Sequence, residues 1–184
     1  MNKFAPFDSR ETLLRVLADF YSEYRLTESG QEPLNLYVIG GSALFLRELR
    51  SRITVDIDSL VMGKHSERFW QFAHDFGVTH SLPKNWINEN AKIFLPPLFD
   101  FSVDWDVVFE QENFRVHVAP TDLLLAMKLR SNRGLREEQD IFALSEECGV
   151  RDVEEAEDLL KKYCPGDDFA PLALKSLEKW LQSR

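Results

Sequence analysis

Leu36-Tyr37-Val38-Ile39-Gly40-Gly41-Ser42-Ala43-Leu44-Phe45-Leu46 passes from an apolar strand pattern through a glycine turn into a helical pattern; after thirteen intervening residues the chain reads Asp56-Ile57-Asp58. Gly40, Gly41 and Ser42 therefore read as a strand-to-helix turn whose unpaired backbone amides could hold an anion. Asp56 and Asp58 lie two apart in Ile53 to Val61, and strand alternation puts both carboxylates on one face while Val55, Ile57 and Leu60 pack elsewhere. Two carboxylates fixed in this way suit one or two Mg2+ ions, or Mn2+ in their place.

Outward from this stretch, the pattern orders the rest of the chain. Asp8 with Glu11 reads as a capping box, and Leu13, Leu14, Leu17, Phe20, Tyr21 and Tyr24 recur at helical spacing, which predicts a first helix to about Leu26. Glu28 to Pro33 is then a loop, Leu36 to Ile39 a strand and Ser42 to Leu49 a helix. Phe69, Phe72, Ala73 and Phe76 share one face of a helix that Gly77 is expected to stop, with a short strand at Val78 to Leu82. Pro83 to Asp100 gives only a weak pattern, broken at Pro96 and Pro97. Val103 to Phe109 and Phe114 to Val118 form a hairpin pattern. Beyond Thr121 only helices follow: Leu123 to Leu129, Glu137 to Glu147, Val153 to Tyr163 and Leu172 to Leu181. Strands mixed with helices and then helices alone argue for an α/β (α+β) core, residues 1–120, and a helical C-terminal part, residues 121–184, within a single domain.

Composition narrows the classes. A chain of 184 residues can build one good core, and 44% hydrophobic with 29% charged residues is a globular profile. The absence of an apolar run of about eighteen residues, and of an apolar core behind Met1-Asn2-Lys3-Phe4, predicts a cytoplasmic protein without a membrane partner. Cys148 and Cys164 have no metal-like or disulfide-framework spacing. A net charge of -9 argues against coating nucleic acid through the overall field, yet the basic residues cluster: Arg47, Arg50 and Arg52 near the glycine turn, and Lys128, Arg130, Arg133 and Arg136 later.

The glycine-serine turn, the gap and the twin acids resemble the nucleotidyltransferase fold of the DNA polymerase beta superfamily, in which about ten to thirteen residues separate the turn from two acids flanking an apolar residue. Arg52-Ile53-Thr54-Val55-Asp56-Ile57-Asp58 looks like the run common in its minimal bacterial members. Trp86-Ile87-Asn88-Glu89-Asn90-Ala91-Lys92, Leu95-Pro96-Pro97, Leu123 to Arg130, and Arg136 with Asp140-Ile141 further resemble a bacterial family of nucleotidyltransferase-like proteins related to abortive-infection toxins. The resemblance covers about Leu36 to Leu144. It implies a minimal nucleotidyltransferase fold, with a mixed sheet flanked by helices, and a nucleoside triphosphate such as ATP as substrate.

The same resemblance assigns roles. Asp56 and Asp58 would hold the metals; Gly40, Gly41 and Ser42, with Arg52, Thr54, Asn88 and Lys92, would bind the nucleotide; Lys128 would meet the triphosphate as a point charge. A third carboxylate is needed as general base, and Asp140, in the toxin-like arrangement Lys128, Arg136, Asp140, is preferred to Asp104 and Asp106. The expected activity is magnesium-dependent transfer of a nucleotide to an RNA 3′ end, tRNA included, or to a protein hydroxyl, in a toxin-antitoxin or phage-defence setting with a cognate toxin or antitoxin as partner. The alternative is an inert nucleotidyltransferase-like binding module or antitoxin that regulates a partner protein. Trp86 and the Phe69, Phe72, Phe76 stripe read as core. His65, His74, His80 and His117 read as structural or solvent-facing, and Glu137, Glu138 and Asp152 to Asp158 as solvated acidic faces.

Overall fold

The computed structural model describes residues 7–27, 32–49, 54–62, 66–96, 102–131 and 137–184. Arg50, Arg52, His65, Arg133 and Arg136 lie outside the described residues. The protein is α+β: a five-stranded mixed sheet with helices, followed by helices only. By contact it divides into a sheet unit, residues 1–92 with 105–118, and a helical unit, residues 93–104 with 119–184. Among the described residues no helix is long and apolar enough to cross a membrane.

The sheet unit opens with α1 (Arg10–Tyr24), whose N-cap is Ser9, its side chain accepting the Thr12 N–H at 3.1 Å. The expected Asp8 cap is thus displaced by one residue, because Ser9 has the extended backbone that an N-cap requires. Then follow β1 (Leu34–Val38), α2 (Gly40–Leu46), β2 (Ile57–Val61), α3 (Ser66–Thr79), β3 (Ile87–Asn88), a 3-10 helix (Asn90–Phe94), β4 (Asp106–Gln111) and β5 (Phe114–Val118). The sheet order is β3-β2-β1-β5-β4, with β1 antiparallel to β2 and parallel to β5, β2 parallel to β3, and β4 antiparallel to β5. Leu34, Leu36 and Val38 of β1 and Phe114, Val116 and Val118 of β5 are buried on one face. By register Asn35, Tyr37 and His117 share the opposite face with Asp58 and Leu60.

Two expectations in α3 are corrected by packing. Gly77 does not end the helix, which runs on to Thr79; instead a Cβ at Gly77 would lie 2.7 Å from Trp86 Cδ1, so glycine is the residue that lets the indole approach. Val78 to Leu82 is the helix end and a turn rather than a strand, and Val78 is exposed. Trp86 itself is core, its indole N–H donating to Ala73 O at 2.9 Å. Phe20 makes edge contacts with Phe69, Phe72, Phe76 and Trp86 at centroid distances of 5.3 to 5.6 Å, which fastens α3 and the segment before β3 to α1. In the hairpin, β4 begins at Asp106 rather than Val103, with a register shift between Val107 and Phe109.

The helical unit contains α4 (Thr121–Arg130), α5 (Glu138–Glu147), α6 (Val153–Tyr163) and α7 (Pro171–Gln182). Leu123 to Leu129, Lys128 included, are buried without interruption, so α4 must be enclosed on all sides. α5, α6 and α7 all pack on it. Asp152 caps α6 by accepting the Glu155 N–H, and Pro171 starts α7 at the position where its missing N–H costs nothing.

Candidate active site

The glycine turn and the acidic strand meet through three hydrogen bonds that close on each other. Ile39 N–H donates to Asp58 O at 2.9 Å, extending the β1-β2 ladder beyond Val38. An ordinary antiparallel pair would return a bond from Asp58 N–H to Ile39 O. Here the Ser42 hydroxyl stands between them: it accepts the Asp58 N–H at 3.0 Å and donates to Ile39 O at 3.1 Å. The hydroxyl, buried with its residue at 1% exposure, thereby couples the first turn of α2 to the acidic strand. Its proton is directed at Ile39 O.

Gly40 completes the junction. Its φ is +66°, and a Cβ there would lie 2.8 Å from Asp58 Oδ2 and 3.4 Å from Ala91 Cβ. A side chain would be strained by the backbone and would strike the carboxylate. Glycine therefore lets three segments converge: the start of α2, Asp58 on β2, and Ala91 in the 3-10 helix. The amides of Gly40, Gly41 and Ser42 precede the first bond of the helix, Ala43 N–H to Ile39 O at 3.4 Å.

Asp56 sits at a bend immediately before β2, which begins at Ile57 rather than Ile53. Thr54, buried and bridged to Phe7, donates its hydroxyl to Asp56 O at 2.8 Å. That bond holds the backbone of the bend, so Thr54 acts on Asp56 and not outward. Asn88, the register partner of Asp58, donates from Nδ2 to Asp56 Oδ2 at 3.3 Å and to Asn85 O at 3.2 Å, and accepts the Asn90 N–H at 2.7 Å. One β3 side chain thus pairs in register with Asp58 and reaches the carboxylate of Asp56. Lys92, mostly exposed, follows Ala91 and lies 3.6 Å from Glu89.

The other expected residues are Asp104, Asp106, Lys128 and Asp140. Asp106 pairs with Val118 in register, so it stands on the sheet face opposite Asp58, three strands away or about 14 Å at ordinary strand spacing. Its carboxylate is bound by Arg47. Asp104 lies before β4 and is exposed. In the helical unit Lys128 Nζ donates to Glu137 Oε1 at 2.7 Å and to Asp140 Oδ2 at 3.0 Å, while Ser131 Oγ donates to Glu137 Oε2. Lys128, Glu137 and Asp140 are 8%, 7% and 2% exposed, so Glu137, expected on a solvated face, is instead an interior counter-ion. Its signal in the sequence was its distance from Lys128, which the helical pattern alone does not turn into a contact.

The donor set fits a hard cation in chemistry: Mg2+ takes one or two protein carboxylates and completes its shell with water and phosphate oxygens. Among the described residues no group of three or more His, Cys, Asp or Glu converges as a metal cage. No protein-family model, curated protein or solved structure matches the chain.

Proposed function

We propose that the chain is a magnesium-dependent nucleotidyltransferase acting on a nucleoside triphosphate and an RNA 3′ end or protein hydroxyl. The observation that carries this reading is the junction of Gly40, Ser42, Asp56 and Asp58, in which a glycine turn is joined by hydrogen bonds to the strand that bears Asp58 and follows directly on Asp56. Asp56 and Asp58 would hold Mg2+, which when bound neutralises phosphate charge and activates an oxygen nucleophile. In the transfer, the acceptor hydroxyl gives up its proton to solvent, its oxygen bonds to the α-phosphorus, the bond from that phosphorus to the β-phosphate oxygen breaks, and pyrophosphate departs. The chain's own part is positional. Ser42 and Thr54 fix the two acids through the backbone, Asn88 orients the Asp56 carboxylate, and the early amides of α2 with Lys92 offer positive charge to phosphate oxygens. A toxin-antitoxin or phage-defence role rests on the family resemblance alone.

One observation favours the second reading, an inert nucleotide-binding module. The acceptor's proton needs a base, and two of the three sequence candidates are engaged by cations: Asp106 by Arg47, and Asp140 by Lys128. The test is transfer of labelled nucleotide, from each of the four triphosphates with Mg2+, to total RNA and to protein. The expected outcome is transfer that falls at least 100-fold, on the order of the loss of a metal-holding group, in Asp56→Asn with Asp58→Asn. Transfer that survives the double change refutes the assignment; triphosphate binding that needs both acids, with no turnover, selects the binding module.

A further inference from the structure

Beside the carboxylates, the sheet unit carries a pocket of about 240 Å³ between α3 and the segment leading into β3. We propose that it takes a nucleobase. This deepens the nucleotidyltransferase reading and rests on it for the placement of the phosphates. The walls are Trp70 and His74 from α3, and Lys84, Asn85, Trp86 and Asn88 from the facing segment.

Three observations combine. First, size: the volume is below the range of about 300 to 1,000 Å³ typical of pockets for whole drug-sized ligands, so it suits a base or nucleoside and not a complete triphosphate. Second, the wall chemistry suits a flat, polar-edged ring. Trp70 offers a partly exposed indole for stacking, and His74, Lys84 and Asn85 supply hydrogen-bonding groups to its edge. The floor is fixed in advance, because Trp86 is held by its bond to Ala73 O and by the Gly77 backbone against its ring. A wall that need not reorganise costs little on binding. Third, the pocket is joined to the acids. Asn88 is both a lining residue and the donor to Asp56 Oδ2, and its register partner is Asp58. A base seated here therefore lies one strand from the proposed metal ligands, on the side remote from β1.

A nucleobase could come from the triphosphate or from the last nucleotide of an RNA acceptor, and the measurement separates them. The full chain, with Mg2+, is titrated with the four nucleoside triphosphates, inorganic tripolyphosphate, the free nucleosides and a short single-stranded oligoribonucleotide. The wild type is expected to bind at least one triphosphate more tightly than tripolyphosphate. Trp70→Ala is expected to remove about 5- to 150-fold of affinity for the base-bearing ligand, the size of one lost stacking partner. Trp70→Phe should retain most of it, and tripolyphosphate affinity should not move. If Trp70→Ala weakens the oligoribonucleotide and spares the triphosphates, the base in the pocket is the acceptor's. If it weakens none of the base-bearing ligands while the variant stays folded by circular dichroism, the pocket proposal is overturned and the carboxylate site stands. If instead Asp56→Asn with Asp58→Asn leaves triphosphate affinity unchanged while Trp70→Ala still weakens nucleosides, the pocket stands and the catalytic reading fails.

Discussion

The two units of this protein treat ionisable groups in opposite ways. In the helical unit, charge is turned inward: Lys128, Glu137 and Asp140 are interior, and each has a charged partner within hydrogen-bond distance. In the sheet unit, the two acids of the candidate site are only partly buried. Asp58 is fixed through its backbone amide, and Asp56 through its backbone carbonyl and a neutral amide from Asn88. The first arrangement ties the interior to one pairing, because removing either partner leaves a buried charge uncompensated. In the second, the bonds described fix the backbone at both acids, and a neutral amide reaches the Asp56 carboxylate. Similar residue types thus have different work according to what fixes them.

The largest expected effect comes from breaking the inward arrangement. Lys128→Met leaves two interior carboxylates without their shared cation and is expected to destabilise the protein by about 3–5 kcal/mol in chemical denaturation. Replacing the cluster together, Lys128→Met with Glu137→Gln and Asp140→Asn, should recover most of that loss, because no ion is then left unpaired. If Lys128→Met costs less than about 1 kcal/mol, in the range of a surface pair, the cluster is not the fixed interior network described above.

A narrower comparison uses two glycines with the same backbone. Gly40 in the sheet unit and Gly149 in the helical unit both have φ of +66°, yet a Cβ at Gly149 would meet nothing within 4 Å, whereas at Gly40 it would meet Asp58 Oδ2 at 2.8 Å. Gly149→Ala should therefore register only the left-handed strain, about 1–2 kcal/mol. Gly40→Ala carries that strain and must also displace the carboxylate. It is expected to cost about 1 kcal/mol more than Gly149→Ala, the low end of the penalty for overpacking, and to weaken magnesium-dependent triphosphate binding, which Gly149→Ala leaves intact. Equal stability losses and equal affinities would mean that the carboxylate gives way freely and that the Gly40 contact does not position it.

Legibility in the sequence follows the range of the interactions. The glycine turn and the acidic strand were visible because their signals are local: a break in apolar periodicity and a two-residue alternation. The last three helices were placed to within a residue or two for the same reason, since amphipathic stripes and caps lie within one segment. What stayed hidden depends on contacts across the chain. Gly77 carries the sequence mark of a helix stop, and only the indole of Trp86 pressed against it explains why the helix continues. Asn88 forms part of a two-residue strand too short for any periodic signal, yet it orients Asp56. The role of Ser42 is the subtlest case. Its position after the glycines pointed to the turn, but its insertion into the ladder between Ile39 and Asp58 requires knowing that β1 and β2 are antiparallel neighbours.

Acid titration gives the smallest effect, and it separates the units by where on the pH scale each softens. In the sheet unit, burial and the nearby Arg115 lower the pKa of His117, with Glu110 opposing them. Its ring stacks on Tyr37 at 4.8 Å, and Nε2 lies 2.9 Å from Asn35 Oδ1. In the helical unit, burial acts to raise the pKa of Asp122, but hydrogen bonds from Lys162, Tyr163 and the Leu123 amide outweigh it and lower the value. For both groups the unfolded chain binds the proton more readily, so stability rises with pH through the affected window and is lost as pH falls. The windows differ: His117 weakens the fold below its ordinary value of 6.5, Asp122 only below 3.8. Between pH 7.5 and 5.5 the wild type should therefore lose stability that His117→Gln does not lose, while Asp122→Asn runs parallel to the wild type. Below pH 4 it is Asp122→Asn whose curve should flatten relative to the wild type. Because Asn35 and Tyr37 also flank the ring, a His117→Gln curve that still falls with the wild-type slope between pH 7.5 and 5.5 would assign the loss to another group.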